Sequence, residues 1–118
     1  MTHPALEPEI RPATPADEAD VAMVIATAFG QEGEARLVDA LRSCGALVLE
    51  RVAVDRDGRI VGHVAFSRVT GAGAGHRLAI TCLAPVSVSP DRQRGGIGAA
   101  LIRAGIDALR EAGEDLVL

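Results

Sequence analysis

Val86-Ser87-Val88-Ser89-Pro90-Asp91-Arg92-Gln93-Arg94-Gly95-Gly96-Ile97-Gly98-Ala99-Ala100-Leu101 decides the fold. It reads as an apolar strand, a tight glycine turn and the start of an amphipathic helix. The first amides of a helix have no backbone acceptors, and the helix dipole places partial positive charge on them. Glycines let a bulky anion approach the main chain there, so the segment is built as an anion cradle. Arg92 and Arg94 add full positive charges beside it. In a chain of net charge -4 such a local basic pair favours a phosphate-bearing partner.

Elimination narrows the ligand. None of the 12 basic residues is Lys, which excludes a Walker phosphate loop and Schiff-base chemistry. A dinucleotide fingerprint needs a third glycine where Gly96-Ile97-Gly98-Ala99-Ala100 is followed by Leu101. The spacing Gln93-x-x-Gly96-x-Gly98 remains.

Working outward, the helix after Gly96 runs to Ala112, with Ile97, Leu101, Ile106 and Leu109 as its apolar face, and Gly113 closes it. Asp115 to Leu118 opens another apolar run. Upstream, a strand is expected from Arg77 to Val88. Within it Pro85 removes a ladder donor, so a bulge or a divergence of strands is expected there. Gly71-Ala72-Gly73-Ala74-Gly75 reads as a flexible loop. Ala46–Val54 and Arg59–Phe66 flank the turn cluster Asp55-Arg56-Asp57-Gly58 and read as an antiparallel hairpin.

Nearer the start, Thr14-Pro15-Ala16-Asp17 is a helix-opening signal, and Val21, Val24, Ile25 and Ala28 continue that helix to Phe29. Gly30-Gln31-Glu32-Gly33 breaks it, and a shorter helix carrying Leu37, Val38 and Leu41 follows to Cys44-Gly45. Residues 1–8 show no periodicity and are expected to be a mobile lead-in; order is expected from Glu9-Ile10-Arg11. Residues 9–118 make one domain.

Composition agrees with a single globular core: 48% hydrophobic and 24% charged residues. Aromatic residues are only Phe29 and Phe66, so the core rests on Ala, Val, Leu and Ile. The acidic balance, pI ≈ 5.3, argues against nucleic acid as a partner. No run approaches the ~18 apolar residues that span a bilayer. Cys44 and Cys82 match no redox or metal spacing and read as reduced thiols, and no metal site is expected. A cytoplasmic protein is expected.

The spacing Gln93-x-x-Gly96-x-Gly98, with the strand before it, Pro90, and the helix Ala99-Ala100-Leu101-Ile102 after it, resembles the pyrophosphate-binding motif of the GCN5-related N-acetyltransferases (GNAT). The order of strand, two helices, hairpin and strand is also similar to that family. The resemblance covers Ile10 to Leu118. It implies an α/β fold with a mixed, mainly antiparallel sheet flanked by helices, incomplete after the fifth strand.

The resemblance also implies a transferase that moves an acetyl group from acetyl-CoA, its cosubstrate, to a primary amine of an acceptor the sequence does not specify. Gln93, Arg94, Gly95, Gly96, Ile97, Gly98 and Ala99 would wrap the CoA pyrophosphate, and the pantetheine would lie along Val86, Ser87 and Val88. The sequence assigns no catalytic base: Glu32, Glu50, His63 and His76 are candidates. Many members use a Tyr as acid, and this chain has none. The family continues past the position of Leu118 with strands that complete the acceptor pocket. The expectation is therefore either a shortened chain or a homodimer whose second chain completes the sheet. The alternative reading is a non-catalytic acyl-CoA-binding module or a degenerate acetyltransferase.

Overall fold

The computed structural model describes residues 8–69 and 80–118. The Gly71–Gly75 loop, His76 and the start of the expected Arg77–Val88 strand lie outside the described residues, as does nearly all of the lead-in. A five-stranded sheet runs in the order β1 (Glu9–Pro12), β2 (Leu47–Val54), β3 (Ile60–Val69), β4 (Ile80–Val88) and β5 (Leu116–Val117). The first four are antiparallel neighbours, and β5 joins β4 in parallel.

Two layers of helix cover the sheet. On one face α1 (Glu18–Phe29) and α2 (Gly33–Ser43) pack Val21, Val24, Ile25, Ala35 and Val38 against Val52 and Ile60. On the other, α3 (Ile97–Glu111) sets Ile97, Leu101 and Leu109 on Ala53, Val64 and Phe66. The alternation of strand side chains supplies both faces from the same strands.

The expected helix Pro15–Phe29 divides in two. Pro15–Asp17 is a 3-10 turn, and α1 starts at Glu18. Asp17 explains the tight turn: its carboxylate accepts from the Thr14 amide (2.7 Å) and hydroxyl (3.0 Å) and takes a two-point contact from Arg11 of β1 (2.8 and 3.0 Å). Arg11 and the Thr14 donors more than offset burial and hold the Asp17 carboxyl well below the usual carboxylate range. The helix break at Gly30 is a left-handed residue, φ 71°.

The hairpin turn is shaped by one side chain. Asp55 Oδ1 accepts from the amides of Asp57 (3.0 Å) and Arg59 (2.9 Å), a local bond that competes successfully with continued strand. On α3 the buried stripe is Ile97, Leu101, Gly105 and Leu109. Ile106, expected on that stripe, lies off it beside Ile102 and Arg103, because Gly105 takes the sheet-facing position.

Candidate cofactor-binding site

The site is built where β4 ends and α3 begins. Along β3 and β4 the pairing shifts between Val64↔Val86 and Phe66↔Leu83, so Ala84 and Pro85 together oppose Ala65. This is the bulge expected at Pro85. Its consequence is a change of phase. Before it, Thr81 and Leu83 direct their main chains to β5, through Leu118 N to Thr81 O (2.8 Å) and Leu83 N to Leu118 O (2.9 Å).

After it, Ser89 N donates to Val61 O (2.8 Å), so by ladder alternation Ser87 bonds to β3 while Val86 and Val88 turn their amides to the outer edge of β4. Neither outward amide is used by the described residues' sheet pairing. The Val88 carbonyl on that edge accepts from the Gln93 side-chain amide (3.0 Å), which folds the glycine turn back against the strand.

The turn owes its shape to two left-handed residues, Arg94 (φ 71°) and Gly96 (φ 82°). Gly96 caps α3, and the first helical bond runs from Ala100 N to Gly96 O (3.0 Å). The amides of Ile97, Gly98 and Ala99 therefore have no acceptor within the helix. The space over the turn is open, since a Cβ at Gly96 would meet nothing within 4 Å and one at Gly95 only the Arg92 carbonyl at 3.6 Å.

Packing fixes the aim of the helix. A Cβ at Gly62 of β3 would fall 2.9 Å from Leu101 Cδ1 and 3.1 Å from Ile97 Cγ2, so the bare Gly62 lets the first turn of α3 settle on the sheet. Gly98 faces Val86 and Val88, where an added Cβ would be in ordinary contact at 3.7 Å with both. Val86, Val88, Gln93, Arg94, Gly95, Gly96, Ile97, Gly98 and Ala99 are thus brought together. Ser87 differs: its side chain is buried on the opposite face, beneath α1.

Charge around the turn is divided between its two arginines. Arg92 Nη1 lies 3.7 Å from Asp55 Oδ2, so its charge is partly offset. Arg94 is exposed and has no hydrogen-bond or ion-pair partner among the described residues. Arg59 joins Asp91 (2.8 Å), which also accepts from the Ser89 hydroxyl (2.6 Å), and these bonds tie the hairpin turn to the segment before the glycines. Nothing local in sequence marks that tie.

On the α1 face, Glu50 of β2 meets Arg42 of α2 through Nη2–Oε1 (2.8 Å) and Nε–Oε2 (3.2 Å), and its Oε1 lies 2.9 Å from His63 Nε2. Burial pushes the Glu50 carboxyl up, but the bonds from His63 and Arg42 prevail and hold it at about 2. Glu32 is exposed beside Arg36 and stands away from this group. Among the described residues no cluster of His, Cys, Asp and Glu is placed to hold a metal ion, and no helix is long and apolar enough to cross a membrane.

A bulged, outward-facing β4 feeding a glycine turn and a helix start defines the class. The acetyltransferase (GNAT) domain model matches residues 9–118, and the chain belongs to that family. It is 35% identical over 104 residues to the uncharacterized N-acetyltransferase YhbS of Escherichia coli, a match covering 88% of this chain and 61% of YhbS. The chain thus spans about three fifths of that relative.

Among solved structures, a GNAT family acetyltransferase from Brucella melitensis in complex with acetyl-CoA superposes with TM-score 0.82 at 43% identity, covering 90% of this chain and 70% of that one. E. coli YhbS in complex with CoA superposes with TM-score 0.89 at 34% identity, covering 100% and 66%.

Proposed function

We propose that this chain binds acetyl-CoA at the β4–α3 junction and takes part in transfer of the acetyl group to a primary amine in the cytoplasm. The observation that carries the reading is the convergence of two sets of amides left without a backbone acceptor among the described residues, Val86 and Val88 on the outer edge of β4 and Ile97, Gly98 and Ala99 at the start of α3. Similarity to proteins whose structures hold acetyl-CoA and CoA supports it.

In this reading the pyrophosphate sits against the helix start, where dipole and amides favour an anion, with Arg94 supplying a full charge. The pantetheine arm runs along the outer edge of β4. An amide of Val86 or Val88 donates to the thioester carbonyl and stabilises the negative charge that develops there as the amine attacks. Holding donor and acceptor together supplies most of the remaining advantage.

The test is release of free CoA thiol from acetyl-CoA in the presence of a panel of primary amines: small amines, aminoglycosides and peptide N-termini. Acceptor-dependent thiol release with an acetylated product is expected. Saturable acetyl-CoA binding with no product from any amine would replace this reading by that of a binding module.

A further inference from the structure

The outer flank of α3 leads away from the glycine turn and carries charges that the fold does not use. Ala99, Ile102, Arg103, Ile106, Asp107 and Arg110 line an open groove of about 480 Å³ there. That volume lies within the ~300–1,000 Å³ of small-molecule sites. Ala99 belongs to both places: its amide has no acceptor within the helix, and its side chain is exposed at the near end of the groove. Elsewhere Arg11, Arg42, Arg59 and Arg68 each meet a carboxylate at 2.7–2.8 Å. Arg103, Asp107 and Arg110 are exposed and have no hydrogen-bond or ion-pair partner among the described residues.

Helix geometry brings this flank within reach of the turn. Ala99 and Arg103 are four residues apart, so they are neighbours on one face, about 6 Å apart along the axis. Long helical side chains lean toward the N-terminus and cover the turn before their own Cα. Arg103 therefore covers the surface over Ala99, whose small side chain leaves it room, on the side of the free amides. Ile102 and Ile106, also one turn apart, are half-buried and give the groove an apolar floor. Arg94, Arg103 and Arg110 outweigh Asp107, a positive balance in a chain of net charge -4. A single anion at the turn would leave this flank without a use. A ligand that continues past the turn with a flat apolar body and a further phosphate uses all of it.

We propose that this flank is the subsite for the 3′-phosphoadenosine end of the cofactor, with Arg103 as the residue that reads the 3′-phosphate. The inference rests on the reading of the β4–α3 junction as the acetyl-CoA site. With the pyrophosphate on the amides of Ile97, Gly98 and Ala99, the adenosine leaves the turn past Ala99 and follows α3. The adenine lies on Ile102 and Ile106, and the Asp107 carboxylate accepts from its exocyclic amine. The 3′-phosphate, a monoester close to a dianion at neutral pH, takes a two-point contact from the Arg103 guanidinium. Arg110 stands about 10 Å farther along the axis and adds attraction without contact. The consequence is selectivity: the subsite separates CoA from its dephospho form, which carries every group that the glycine turn meets.

Calorimetric titration of the full chain with acetyl-CoA and with acetyl-dephospho-CoA tests this. The parent is expected to bind acetyl-CoA tighter by roughly fivefold or more. Arg103→Gln exchanges one good helix former for another at an exposed position, so the fold is kept. It is expected to weaken acetyl-CoA by about fivefold and to leave acetyl-dephospho-CoA within about twofold of the parent, so that the preference disappears. Arg94→Gln is expected to weaken both ligands alike, because both carry the pyrophosphate. Equal affinity of the parent for the two ligands, or a preference that survives Arg103→Gln, would overturn the subsite. Loss of the preference in Arg94→Gln would equally overturn it. Failure of both ligands to bind a folded parent would instead remove the reading of the β4–α3 junction, and the subsite with it.

Discussion

Phe66 of β3 occupies the space that a side chain at Gly105 of α3 would need. A Cβ built at Gly105 collides with Phe66 Cε1 and falls 2.6 Å from its Cζ. Phe66 is fully buried, while Phe29, the other aromatic residue, is 42% exposed. The one large ring in a core of small aliphatic side chains thus needs a helix without a side chain above it. Gly105→Ala is expected to destabilise the fold by about 2 kcal/mol in urea unfolding, despite the roughly 1 kcal/mol gain in helix propensity. Adding Phe66→Leu is expected to recover part of the loss, as a cycle between touching residues should show.

Gly96 and Gly98 carry different constraints although one motif contains both. Gly96 is left-handed with open space around it, so Gly96→Ala should cost about 1–2 kcal/mol through backbone conformation. It should also weaken acetyl-CoA binding by reshaping the helix start. Gly98 is free of a positive φ, and an added Cβ makes only ordinary contact with Val86 and Val88. Gly98→Ala is expected to keep stability within about 0.5 kcal/mol and affinity within threefold of the parent, a surface-like effect. Parallel unfolding and calorimetric titration of both variants check the contrast.

Glu50 gives stability a pH dependence whose sign is fixed. Its carboxyl is lowered from 4.5 to about 2 in the folded chain, so folding binds its ionised form more favourably than the unfolded state does. That contribution is complete above pH 4.5 and is lost as pH falls toward 2. Denaturant unfolding from pH 6 to pH 2 is expected to show a shallower acid decline in Glu50→Gln than in the parent. Asp17, also lowered by Arg11, contributes in the same direction and remains in both proteins.

Much of the architecture was legible because it is local. The helix opening at Gly96, the turn at Asp55–Gly58 and the break at Gly30 are written in neighbouring residues, and Pro85 marked the bulge that turns Val86 and Val88 outward. The less legible features join residues distant in sequence. Gly62 looks like an ordinary strand glycine until Leu101 and Ile97 are placed over it. Gly105 displaces Ile106 from the expected stripe only because Phe66 lies beneath. Arg92 reads as a free charge until the hairpin brings Asp55 to it, and the facing of Ser87 and His63 depends on a register that the bulge sets. In the candidate site the glycine motif was readable, whereas the buried polar row beside it required the strand pairing.

Calorimetric titration of the folded 118-residue chain with acetyl-CoA tests the central claim most directly. The account predicts saturable binding of one acetyl-CoA per chain, weakened at least tenfold by Gly96→Val while the circular dichroism spectrum stays that of a folded protein. Absence of binding at millimolar acetyl-CoA by a chain shown to be folded, or affinity unaffected by Gly96→Val, would contradict it.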